Sequence, residues 1–119
     1  MTTLPILIVE DEPDGQELVS RILAPVNIPI DVTGTAEEAW QFLSQQAYAA
    51  VIIDLALPGK DGFELLRQIR GNNLTTPCIA ITAFHTPELR QRALDEGFDA
   101  YFAKPLDRTR FLRGIESAI

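Results

Sequence analysis

A chain of 119 residues with 46% apolar side chains is long enough to bury one core without disulfides, and it predicts a single domain over residues 1–119. A formal net charge of −7 excludes the basic footprint of a non-specific nucleic-acid binder and argues against docking on anionic lipid. The one cysteine, Cys78, rules out an internal disulfide. With no signal-peptide pattern or long apolar run, it makes the cytoplasm the expected location.

The run Leu4-Pro5-Ile6-Leu7-Ile8-Val9 predicts a first strand, with Pro5 near its start where a missing N–H is tolerated, and it ends in Glu10-Asp11-Glu12. From residue 15 to about 26, Leu18, Val19, Ile22 and Leu23 recur at helical spacing. Residues 28–32 predict a short second strand. Thr35-Ala36-Glu37-Glu38 reads as a capping box ahead of a helix face made of Ala39, Trp40, Phe42 and Leu43. The third strand is Ala49-Ala50-Val51-Ile52-Ile53, running straight into Asp54. After the Pro58-Gly59 break, Asp61 caps a helix carrying Leu65, Leu66 and Ile69, which Gly71-Asn72-Asn73 ends. Residues 77–83 predict a fourth, buried strand. Thr86-Pro87 opens a helix that uses Leu89 and Ala93 and stops at Gly97. Residues 99–103 predict the fifth strand, and Asp107 caps a last helix with Phe111, Leu112 and Ile115. That pattern reaches Ile119, so no output domain is expected within the chain.

Five strands alternate with five helices through connections too long for hairpins, which predicts an α/β parallel sheet covered on both faces. Right-handed crossovers favour the flavodoxin-like, doubly wound order 2-1-3-4-5, with ligands at the carboxyl ends of the strands. Four of those ends carry chemistry: Glu10 and Asp11, Asp54, Thr82 and Lys104. No basic residue lies within five positions of Asp54, so its carboxylate is costly to ionise unless a cation comes from elsewhere in the fold. Oxygen ligands without histidine or cysteine select a hard cation, Mg²⁺ before Zn²⁺. A fixed ammonium and a hydroxyl donor complete what is needed to stabilise a transferring phosphoryl group, for which a carboxylate can be the nucleophile.

These motifs resemble the receiver domain of two-component response regulators, most closely the stand-alone chemotaxis type. The resemblance rests on Glu10-Asp11, on Asp54 within Asp-Leu-Ala-Leu-Pro-Gly-Lys-Asp-Gly, on Thr82-Ala83, and on Lys104-Pro105 with Tyr101 three residues before the lysine. It implies that Asp54 is the phosphoacceptor and that Asp11 is a direct metal ligand, with Glu10 the second acid, often acting through water. The backbone carbonyl of Ala56 is implied as a further metal ligand. Thr82 is the implied switch hydroxyl, Lys104 the lysine that pairs with the phosphoryl group, Tyr101 the aromatic that turns inward, and Ala83 a residue kept small for access. Mg²⁺, or Mn²⁺ in its place, is the implied cofactor. The implied partners are a histidine kinase or phosphotransfer protein and a downstream effector, with a phosphorylation-dependent homodimer through helix 4, strand 5 and helix 5. Neither nucleic acid nor membrane is an expected partner, and the chain is not expected to be a turnover enzyme. Three positions depart from the usual pattern. Leu57 stands where methionine is frequent. Ala56 and Phe84 stand two beyond Asp54 and Thr82, where neither side chain can hold an attacking water, so slow self-dephosphorylation is expected.

Plainer readings compete at several residues. Glu12 and Asp14 suit a helix start, where acids favour the dipole. Asp61 suits an N-cap, His85 an exposed loop, Cys78 a core position, and Trp40 and Phe42 a helix face. The alternative function is a receiver-like interaction module that is never phosphorylated. An aspartyl phosphatase would want an acid where Ala56 stands. A flavin carrier would want a phosphate-cradling loop where Glu10-Asp11-Glu12 would repel one.

Overall fold

The apolar runs of the three inner strands pair side by side in one parallel sheet because each is too apolar to face water on either side. In the computed structural model, which describes residues 4–119, the elements are β1 (Ile6–Val9), α1 (Pro13–Leu23), β2 (Ile30–Thr33), α2 (Ala36–Gln45), β3 (Ala50–Asp54), α3 (Gly62–Gly71), β4 (Cys78–Thr82), α4 (Pro87–Glu96), β5 (Ala100–Ala103) and α5 (Arg108–Ala118). The strand order is β2-β1-β3-β4-β5, as expected, and every pair is parallel. Alternation along the strands splits the core in two. Leu7, Val9, Val51, Ile53 and Ala80 face α2, α3 and α4, where Leu43, Leu65, Leu66 and Ala93 meet them. Ile6, Ile8, Ile52, Ile79 and Ile81 face α1 and α5, where Val19, Ile22, Phe111 and Ile115 complete the second layer. Among the described residues, no helix is long and apolar enough to cross a membrane.

Several boundaries differ from the sequence expectation, each for a local reason. α1 starts at Pro13, which fits the first helical position, and it gives way to a 3₁₀ turn at Ala24–Val26 that closes on left-handed Asn27. Leu18, expected on its apolar face, is 42% exposed. β2 runs from Ile30 to Thr33, because Pro29 offers β1 only its carbonyl, to the N–H of Ile6. The Thr35 box is only half formed. Thr35 Oγ1 accepts from the N–H of Glu38, but Glu38 Oε1 reaches past Thr35 to the N–H of Gly34. The reciprocal box forms instead at Asp61 and Glu64. Gly71 remains helical, and the residue with positive φ after α3 is Asn73. β5 is an edge strand, half-buried throughout. Asp99 falls outside it, its carboxylate turned to Arg70 and to the N–H of Cys78.

Candidate functional site

β1, β3, β4 and β5 lie consecutively in the sheet, so their carboxyl ends form one rim. The rim brings Glu10, Asp11, Asp54, Thr82 and Lys104 together from four strand ends. Glu10, the first residue past β1, is fully buried. Its backbone is held on both sides: the N–H donates to Thr33 O at 3.0 Å, and the carbonyl accepts from Gln16 Nε2 at 2.6 Å. Its side chain fits under α1 because residue 15 is glycine; a Cβ there would stand 2.7 Å from Glu10 Cδ. Asp54, the last residue of β3, is 5% exposed, and its Oδ1 accepts from the N–H of Ala56 at 2.9 Å. α3 begins close against this strand end. A Cβ on Gly62 would stand 2.9 Å from the Asp54 carbonyl oxygen.

The cation that Asp54 requires comes from β5. Lys104 Nζ donates to Glu10 Oε2 at 2.7 Å and to Asp54 Oδ2 at 3.2 Å. The backbone N–H of Lys104 is anchored on Thr82 O at 2.8 Å. Burial pushes the Glu10 carboxyl above its ordinary range; the Lys104 bond opposes this and the nearby Asp54 carboxylate adds to it. Burial pulls Lys104 down, but its bonds and charge attraction to Glu10 and Asp54 outweigh that and leave it above the ordinary lysine value. The ammonium is therefore retained across the physiological range. Carboxylate oxygens of Glu10, Asp11 and Asp54 approach within 4.8 Å of one another, an all-oxygen set suited to a hard divalent cation.

Thr82 is 1% exposed, and its Oγ1 accepts from the N–H of Phe84 at 3.0 Å. The ring of Phe84 is 71% exposed, so most of it stands in solvent. Tyr101 is half-buried on β5, its hydroxyl 2.8 Å from His85 Nδ1 with ring centroids 5.5 Å apart. Burial raises its pKa, and the charge of Arg90 opposes the shift. Most residues given plain readings fall away from the rim chemistry; the exceptions are His85, on Tyr101, and the N–H of Glu12, which donates to Glu10 Oε1 at 3.3 Å. Asp14 lies in the first turn of α1, and Glu12 precedes it without a side-chain cap. Trp40 and Phe42 pack on the margin of the core. Cys78 is buried, its thiol pushed up to about 12 by desolvation.

Sequence reasoning passed over Gly15 and Gln16, and read His85 as an exposed loop residue, which it is, without its contact to Tyr101. Gly15 carries a weak signal, a glycine in the first turn of a helix with no turn to make. Gln16 carries none, since nothing local marks a glutamine as a strap on a strand end. His85 stands only three residues beyond Thr82, but its contact with Tyr101 depends on how β5 docks.

A family model described as response regulator receiver domain matches residues 6–116. A 14.6 kDa protein of Leptolyngbya boryana is 34% identical over 98% of this chain and 90% of its own length. The response regulator RppA of Synechocystis is 35% identical over 94% of this chain and 49% of its own length. The chain thus spans nearly all of one curated relative and about half of the other. Among solved structures, the receiver domain of a Pseudomonas aeruginosa sensor histidine kinase, with magnesium coordinated in its active-site cleft, superimposes with a TM-score of 0.87 at 29% identity, covering 98% of both chains.

Proposed function

Because the chain belongs to the response regulator receiver family, we propose that it is a phosphoacceptor switch in which Asp54 takes a phosphoryl group from a phosphohistidine on a histidine kinase or phosphotransfer protein, or from a small phosphodonor. The observation that carries this reading is the Glu10–Asp11–Asp54 cluster, whose two buried members, Glu10 and Asp54, are bridged by Lys104. One carboxylate oxygen of Asp54 bonds to phosphorus as the phosphorus–nitrogen bond of the donor breaks. The electron pair returns to the imidazole, which takes up a proton from water. Asp54, Asp11 and the Ala56 carbonyl, with Glu10 through water, would hold Mg²⁺ (or Mn²⁺), which supplies charge neutralisation on the phosphoryl oxygens.

The chain's own residues do the rest. Lys104 shifts from Glu10 and Asp54 to a phosphoryl oxygen. Among the described residues Thr82 Oγ1 only accepts a hydrogen bond, so its hydroxyl hydrogen is free to donate to the same group. As Thr82 moves toward the phosphate, Tyr101 leaves His85 and turns into the space opened, and the α4, β5 and α5 face changes its affinity for a downstream protein. At Ala56 and Phe84 no side chain can hold an attacking water, so the phosphorylated form is long-lived; a half-life of seconds would overturn that point. The cytoplasm and a single domain over residues 1–119 remain part of the reading.

Incubation with Mg²⁺ and acetyl phosphate or phosphoramidate, followed by intact mass measurement, tests it. One added phosphoryl group, lost in Asp54→Asn, is expected. No addition from any donor would favour the phosphorylation-independent interaction module.

A further inference from the structure

The part of the chain that carries β2, α2 and β3 has no basic side chain of its own: no lysine, arginine or histidine occurs between Arg21 and Lys60. The bases flanking it are turned elsewhere, Arg21 to Glu17, Lys60 to Gln68, Arg67 to Glu96 and Arg70 to Asp99. Within this part lies a cavity of about 280 Å³. It is lined by Asp31 of β2, by Phe42, Gln45 and Gln46 at the C-terminal end of α2, and by Tyr48 ahead of β3. Three hydrogen bonds fix its wall. Tyr48 is 4% exposed, and its hydroxyl donates to Asp31 Oδ2 at 2.6 Å. Gln46 Nε2 donates to the same oxygen at 2.9 Å and to Tyr48 Oη at 2.6 Å. Asp31 Oδ1 accepts no hydrogen bond among the described residues. Burial, and after it the bond to Asp31, push the Tyr48 phenol up to about 12, so it stays neutral. The helix end adds to the charge of Asp31. A helix C-terminus carries about half a negative charge and leaves its last carbonyls without helical partners. α2 has no basic residue in its last turn, and Gln46 leaves it extended rather than left-handed, so no Schellman turn covers those carbonyls.

We propose that this cavity binds an alkylguanidinium group, its N–H groups donating to Asp31 Oδ1 and to the open carbonyls of α2, and its plane lying on the Phe42 ring. Carboxylate, helix end and ring all favour a cation. A guanidinium suits them better than an ammonium, because it is more weakly hydrated, offers its donors in one plane and stacks on an aromatic face. One carboxylate is too few ligands for a divalent metal, and a nucleic-acid phosphate would meet only negative charge here. The volume falls just below the range of about 300–1,000 Å³ that holds drug-sized ligands, which suits a single charged group on a short apolar stem. The site is separate from the phosphoryl chemistry. Tyr48 precedes β3 and Asp54 ends it, and the five residues of that strand span about 17 Å.

The test follows backbone amide NMR shifts of the full chain as N-butylguanidine is added. N-butylurea, a neutral molecule of the same shape, and n-butylamine serve as comparison probes. An end-blocked Gly-Gly-Arg-Gly-Gly peptide presents the same group on a polypeptide. Support is saturable binding of butylguanidine or of the peptide at about millimolar Kd, with shifts centred on Asp31, Phe42, Gln45 and Tyr48. Binding should weaken with salt and fall by about tenfold or more with butylurea or in Asp31→Asn. Tighter binding of the peptide assigns the group to an arginine of a partner protein, and tighter binding of the free compound assigns it to a small molecule; either supports the site. No saturable shifts from butylguanidine or the peptide, shifts centred elsewhere, equal binding of butylurea or butylamine, or undiminished binding in Asp31→Asn would each overturn it. Should Asp31→Asn fail to fold, Phe42→Leu replaces it, with a smaller loss expected and no loss overturning the proposal.

Discussion

Glu10 is fully buried, so everything that touches it acts on the site. Gly15 touches it most directly. Its backbone is ordinary helix, and only the Glu10 carboxylate, 2.7–2.8 Å from the position a Cβ would take, objects to a larger residue. Gly15→Ala is therefore expected to leave α1 intact, or slightly firmer by helix propensity, while displacing Glu10 from Lys104. Isothermal titration should show Mg²⁺ affinity reduced by about tenfold, roughly 1.4 kcal/mol. Cys78 supplies a pH test. Burial disfavours the thiolate and pushes the thiol up to about 12 from an ordinary 9.0. The folded chain thus holds a proton that the unfolded chain releases. The resulting stability is complete below pH 9 and is lost as pH rises toward 12, at about 1.4 kcal/mol per unit. Urea melts above pH 9 should fall less steeply for Cys78→Ala than for the natural chain, and a thiol reagent at neutral pH should label Cys78 only after unfolding.

At the scale of elements, α3 is seated by a close approach to the end of β3. A Cβ on Gly62 would come within 2.9 Å of the Asp54 carbonyl and 3.0 Å of Leu55 Cα, and backbone yields less than a side chain. Gly62→Ala should cost about 1–3 kcal/mol, read as a fall in Tm, and should also slow phosphoryl uptake because Asp54 sits on the displaced strand end. The elements themselves were legible because their signals are local. Apolar runs, Thr86-Pro87 and the Asp61 and Asp107 caps act within a turn of where they stand. The chain order of strands, with crossovers of one hand, then placed Glu10, Asp54, Thr82 and Lys104 on one rim. What escaped were distances between elements. That Glu38 would bond Gly34 rather than Thr35, that Asn73 and not Gly71 would take the left-handed turn, and that His85 would meet Tyr101 depend on fractions of an ångström in docking, which residue spacing does not encode.

Across the whole molecule, the acids outnumber the bases by seven, yet one ammonium is carried inward to lie between Glu10 and Asp54. Removing it exposes what it balances. Lys104→Ala is expected to weaken the resting fold, since breaking a buried ion pair on one side leaves a carboxylate uncompensated, at roughly 3–5 kcal/mol in fully buried cases and less here where the lysine is partly solvated. Chemical denaturation with and without Mg²⁺ should show the divalent ion restoring more stability to this variant than to the natural chain. A metal held as proposed would compete with Lys104 for the carboxylates of Glu10 and Asp54, so loading the site would be an exchange of one cation for another and not the filling of a hole. Seen this way, the resting receiver carries its own stand-in counterion. Under the proposed reading, the Mg²⁺ level would be a second input, one that sets how large a fraction of the molecules is armed before any donor arrives.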